Sequence, residues 1–230
     1  MRLAAVLVVV VFATSATAQS YDLFYVMPGR TGTKGLEAGI STDDAGSVAD
    51  VGIVNLAAKY SVSDQFEIGT LIESGLLHDD LSSLSTVTFG VKYGIGEATA
   101  LSAAFLAPAS DADDPALFLG VMKSVTSGDM MFNSWLQLGF LDGNAGAGAM
   151  DVDLLVEPTK TFGDKLTGYL DVLVHTNTDD IGDFLAIDLG PNADIMINDS
   201  SVVNVGLRLG VAGDAKADDL GISATFIMGL

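Results

Sequence analysis

Residues 52–72, GIVNLAAKYSVSDQFEIGTLI, read as one complete β-hairpin. Val54, Leu56, Ala58, Tyr60 and Val62 alternate with Ile53, Asn55, Ala57, Lys59 and Ser61, a period of two sustained over a full strand. Ser63, Asp64 and Gln65 supply a tight polar turn. The chain then returns with Phe66, Ile68, Thr70 and Ile72 on one face, and Glu67, Gly69 and Glu73 on the other. A strand with one apolar face also suits a soluble sandwich. Soluble strands, however, run to about five or six residues, whereas a tilted strand that crosses a bilayer takes about 9–11. The strands here have the second length, and they carry Lys59, Glu67 and Glu73 in mid-strand, which suits a wet lumen.

Outward from the hairpin the same pattern repeats. Twelve strands are expected, at about 34–43, 49–62, 66–76, 83–95, 98–108, 115–125, 129–141, 149–161, 165–176, 183–197, 201–212 and 218–230. Their connections fall into two classes. The short ones are Ser63-Asp64-Gln65, Gly96-Glu97, Thr126-Ser127-Gly128, Phe162-Gly163-Asp164 and Asn198-Asp199-Ser200. The others are longer and acidic, around Asp43-Asp44, His78-Asp79-Asp80, Asp111 to Asp114, Asp142 to Met150, Asp179 to Asp183 and Asp214 to Asp219. The two classes alternate strictly, as short periplasmic turns and long extracellular loops do in outer-membrane barrels. The fold class that follows is all-β: an antiparallel up-and-down transmembrane β-barrel of about twelve strands.

Composition agrees. The chain is 49% hydrophobic with a mean hydropathy of +0.45, yet after the first residues it has no run of about 18 apolar residues that would make a spanning helix. The opening, MRLAAVLVVVVFATSATAQS, has Arg2, an apolar run and Ala16-Thr17-Ala18 before Gln19, the pattern of a secretory signal peptide over residues 1–18. Residues 19–33 read as an irregular lead-in or plug, and 34–230 as the barrel. There is no cysteine, so no disulfide holds the exported chain. The net charge of −20 argues against a nucleic-acid surface.

Outward faces are legible as Val87, Phe89, Val91, Tyr93 and Ile95; Met150, Val152, Leu154 and Val156; Leu166, Leu170, Val172 and Val174; and Val203, Val205, Leu207 and Leu209. Residues 98–108 and 115–125 are apolar on both faces, and their orientation stays open. Tyr60, Phe66, Tyr93, Phe132 and Phe162 lie near short turns, as members of a periplasmic aromatic girdle. The lumen set is then Glu37, Lys59, Glu67, Glu73, Lys92, Asp153, Glu157, Asp171, Asp188, Asp194 and Arg208, with Asn55, Asn133, Gln137, Tyr169 and Asn192 between them. Carboxylates outnumber bases, so an open lumen would concentrate cations and repel anions.

The ending ISATFIMGL resembles the C-terminal strand that the barrel-assembly machinery reads in Gram-negative outer-membrane proteins, although the last residue is Leu230 rather than an aromatic. KGLEAGIST and VNLAAKYSVSDQFEIGT together resemble the barrel family associated with phenol meta-pathway degradation. That resemblance implies an outer-membrane transporter of hydrophobic compounds. Two other chemistries have candidate residues in the sequence. The Asp-rich loops lack the ligand register of a calcium site, so no metal or cofactor is expected. Catalysis would need a nucleophile beside a polarising histidine. The two histidines, His78 and His175, lie near extracellular ends, with His175 expected beside Asp171, and neither stands in such a pattern. The reading is therefore passive passage of small hydrophobic or cationic molecules, with no chemical step. Its partners are outer-membrane lipid, lipopolysaccharide and a small-molecule solute. The alternative is a closed barrel that acts through its acidic loops.

Overall fold

The computed structural model describes residues 34–42, 45, 53–63, 65–74, 84–96, 98–108, 115–141, 150–214, 216 and 220–229. The expected signal peptide, the segment 19–33, His78 and most of the acidic loops lie outside the described residues. Twelve strands form: β1 (Lys34–Thr42), β2 (Ile53–Ser61), β3 (Phe66–Ser74), β4 (Leu84–Gly94), β5 (Thr99–Pro108), β6 (Ala116–Ser127), β7 (Met130–Leu141), β8 (Asp151–Phe162), β9 (Leu166–Asn177), β10 (Ala186–Asn198), β11 (Ser201–Ala212) and β12 (Gly221–Gly229). Each pairs antiparallel with its neighbours in sequence, and β12 pairs with β1, so the sheet closes into a barrel. Closure removes the unpaired strand edges that a bilayer cannot hydrate.

The burial pattern is that of an inverted protein. Phe89 is 57% exposed and Phe162 54%, while Lys59 is 6% exposed and Lys92 4%. Val87, Phe89, Val91, Tyr93, Leu101, Phe105, Leu117, Leu119, Val121, Leu207 and Leu209 share the outer face with the other large exposed apolar residues. Water would penalise such a surface at about 25 cal/mol per Å²; lipid does not. Tyr60, Tyr93, Phe132 and Phe162 also point outward near the short turns, and the Tyr93 hydroxyl donates to Gln65 Oε1 at 3.4 Å. This closed barrel with its apolar exterior belongs in the bacterial outer membrane.

The two doubly apolar strands acquire a direction. Leu101, Ala103 and Phe105 of β5 and Leu117, Leu119 and Val121 of β6 face out, leaving Ala100, Ala104, Leu106, Phe118 and Met122 inside. Ala100 and Met122 pack there with Trp135, Leu155 and Leu173 in a cluster within the barrel. The strand ends differ in detail from the sequence reading. Strand β6 runs on to Ser127, and the connection to β7 is the two residues Gly128-Asp129, with Gly128 at φ +63°. Gly at the first position of a two-residue hairpin turn is what a II′ geometry requires. Strand β10 begins at Ala186 rather than 183, because Asp180 Oδ1 accepts from the amides of Gly182 and Asp183 and holds a local turn.

Candidate functional site in the barrel lumen

Alternation places one set of side chains inside the barrel, and cross-strand register decides which of them meet. At the short-turn end, the pairs Ser61↔Glu67 and Glu67↔Lys92 put Glu67 between the lysines of β2 and β4. Lys92 Nζ lies 2.8 Å from Glu67 Oε1, and Lys59 Nζ lies 3.8 Å from Oε2. All three side chains are buried. They stand on the inward face, yet offer the lumen almost no accessible charge.

Next around the wall, the Ser124 hydroxyl donates to Asn133 Oδ1. Asn133 Nδ2 donates to Glu157 Oε1 at 2.6 Å, and Thr159 Oγ1 donates to the same oxygen at 2.9 Å. Nearer the loops, Gln137 Nε2 donates to Asp153 Oδ2 at 3.4 Å, and His175 Nδ1 meets Asp153 Oδ1 at 2.6 Å. The expected neighbour of His175 was Asp171, and here the structure corrects the sequence. Asp153 is its directly opposed partner on β8, about 4.5–5.5 Å away between Cβ atoms, whereas Asp171 lies four residues along an extended strand, about 13 Å. Across β10 the opposed residue is Ala186. The histidine thus has a carboxylate on one side and a methyl group on the other, with no nucleophile in either paired position.

On β9 to β11 the network continues. Asn192 Nδ2 donates to Asp171 Oδ2 at 2.8 Å and to the Gly190 carbonyl at 2.7 Å. Asn204 Nδ2 donates to Tyr169 Oη at 2.5 Å and to Asp194 Oδ1 at 2.8 Å. Arg208 donates from Nε at 3.0 Å and Nη2 at 2.7 Å to Asp188 Oδ2. Asp188 is buried and the Arg208 side chain is half-exposed. On β3, Glu73 accepts from Thr86 Oγ1 at 3.0 Å, and Glu37 faces inward from β1.

All eleven charged residues read from the sequence as lumen-lining therefore project from the inward face. They divide by accessibility. Lys59, Glu67, Lys92 and Asp188 are buried, while Glu37, Glu73, Asp153, Glu157, Asp171 and Asp194 are half-buried. The cluster around Trp135 was not anticipated. Its signal was the double-sided apolarity of β5 and β6, which has to be satisfied by something inside the barrel. Among the described residues no group of three or more His, Cys, Asp or Glu is arranged to hold a metal ion.

No family model and no curated protein matches the sequence. Solved structures with the same fold include the KdgM porin in complex with disordered oligogalacturonate, at 8% identity and a TM-score of 0.63 over 85% of this chain and 99% of that one. An outer membrane channel from Pseudomonas putida F1 aligns at 13% identity and a TM-score of 0.60, over 90% and 98% of the two chains. LpxR from Salmonella typhimurium aligns at 9% identity and a TM-score of 0.55, over 84% and 99%. At these identities the likeness establishes the fold: two of the three carry channel or porin in their names and the third does not.

Proposed function

We propose that this barrel lets small solutes cross the outer membrane passively, with no chemical step, and that it favours cations. The observation that carries the reading is the disposal of positive charge. Lys59 and Lys92 are withdrawn into a buried triad with Glu67, and Arg208 is tied to Asp188. Glu37, Glu73, Asp153, Glu157 and Asp171 keep accessible surface, and neutral side chains donate to Glu73, Glu157 and Asp171. Carboxylates in a confined low-dielectric passage raise the local cation concentration. Oligogalacturonate, the solute named with one structural neighbour, is an anion, so this lumen suits the opposite class. The resemblance to the phenol meta-pathway barrels adds hydrophobic character to the expected solute. Outer-membrane lipid and lipopolysaccharide surround the exterior, and β12 is the strand offered to the assembly machinery.

The test is single-channel conductance of the refolded chain lacking residues 1–18, in a planar bilayer under a salt gradient. Discrete steps with a cation-selective reversal potential are expected, and Glu37→Gln with Asp171→Asn should move that potential toward zero. Anion selectivity would overturn the reading. A second reading rests on the internal cluster around Trp135, which fills part of the lumen: a closed barrel acting through its acidic loops. Stable insertion without any current would favour it.

A further inference from the structure

The lumen is not filled evenly, and the unevenness is organised. In a closed order of twelve strands, strands six apart face each other, so β6 and β7 oppose β12 and β1. On the β5–β9 side, Ala100, Met122, Trp135, Leu155 and Leu173 interlock, and Ala100 and Met122 are 0% and 1% exposed. On the opposite side the inward set includes a run of small residues: Ser223 and Thr225 on β12, Gly39 and Ser41 on β1, Gly206 and Gly210 on β11. Ser223, Thr225, Gly39 and Ser41 all retain accessible surface.

Asn192 on this side lies along the wall instead of projecting from it. Asn192 crosses from β10 over Gly206, where any Cβ would overlap its Oδ1, and Ser223 Oγ stands 2.8 Å from the same point. Its amide is fixed there by Asp171 and the Gly190 carbonyl. Thr225 covers Gly39 in the same manner. Glycine is what permits such close approach.

We infer that the passage is eccentric, running against the β10–β1 wall, and that Asn192, Ser223, Thr225, Glu37 and Asp171 select for small cations rich in N–H donors, of the alkylammonium or guanidinium class. This rests on the open-channel reading above and gives it a path and a chemistry. Carboxylate, amide and hydroxyl oxygens succeed one another along that wall, and each accepts a hydrogen bond from such a solute. Arg208 beside them is paired with Asp188. The interlocked cluster on the far side is built from apolar and aromatic side chains.

The chain contains no cysteine, so single-cysteine variants of the refolded barrel report accessibility without background. Ser223→Cys and Ser41→Cys are treated with a trimethylammonium methanethiosulfonate, beside Met122→Cys and Ser124→Cys on the filled side. Each variant is first checked for the heat-dependent gel shift of a folded barrel, and the two positions per side guard against one failing to fold. Ser223→Cys and Ser41→Cys should label, with a stepwise loss of current, while the other two stay unlabelled. Equal labelling on both sides, or none at Ser223→Cys and Ser41→Cys, overturns the eccentric path. Labelling at Ser223→Cys should be slowed by ethylammonium and not by acetate; the reverse overturns the assigned chemistry. Labelling is also read by mass in vesicles. One-sided labelling without current in any variant would remove the open-channel reading yet leave the eccentric space standing.

Discussion

Glu67 sits between two lysines in a buried part of the wall, and neutralising it removes the carboxylate that the two ammonium groups share. Removing one partner of a buried ion pair costs about 3–5 kcal/mol. Glu67→Gln should therefore lower the urea midpoint of the vesicle-embedded barrel by a corresponding amount, and replacing Lys59 by Met in the same chain should recover part of the loss. Asp129, in the exposed turn between β6 and β7, gives a different signature. Its carboxylate accepts a hydrogen bond from Lys160 at 2.5 Å, and that bond, with the ammonium charge, holds its pKa below the usual aspartate value. A carboxylate depressed in this way stabilises the folded turn above its unfolded pKa, and the contribution fades as pH falls through the lower folded value. Carbon-detected NMR titration should show Asp129 protonating at lower pH than a free aspartate, and Lys160→Met should return it to the ordinary range. A normal titration in the parent chain would remove the pair from any account of the turn.

At the scale of the strand, period-two alternation says which side chains share a face, and for β2, β3, β4, β8, β9 and β11 that was readable because one face was apolar and the other polar. The same rule was silent for β5 and β6. Both of their faces are apolar, since the inward one packs against Trp135 and Leu155 rather than against water. Nor does alternation identify the opposed residue. The meeting of Glu67 with Lys92, and of His175 with Asp153, is set by cross-strand register, which depends on turn length and on irregularities such as the one between Ile187 and Asp188. Those quantities are only weakly written in sequence, and the expected three-residue turn at 126–128 became a two-residue one. Two measurements follow at this scale. Trp135→Ala should destabilise the barrel by about 3–5 kcal/mol through the cavity it opens, and should raise single-channel conductance because that cavity joins the lumen. Gly128→Ala places a Cβ where φ is +63° and should cost about 1–2 kcal/mol of stability while leaving conductance unchanged.

For the molecule as a whole, adjacent residues of one strand face two different solvents. Ala224 points to lipid and Ser223 to the lumen. A lysine at Ala224 should lower barrel stability in vesicles by about 2–4 kcal/mol, the penalty for a cation near the bilayer midplane. A lysine at Ser223 should leave the unfolding midpoint nearly in place and shift the reversal potential toward anions. Equal destabilisation by both would contradict the assignment of faces on β12.

The pairing of β1 with β12 has a consequence in time rather than in space. Gly35 meets Gly229 and Thr42 meets Ile222, so this ladder joins the strands farthest apart along the chain. Until synthesis and export deliver β12, the growing sheet has an open edge at each side, and neither can be left in lipid. Loop closure over the whole barrel must also precede any reward from that final ladder. A sheet lacking β12 would therefore present two unpaired edges, which lipid does not tolerate.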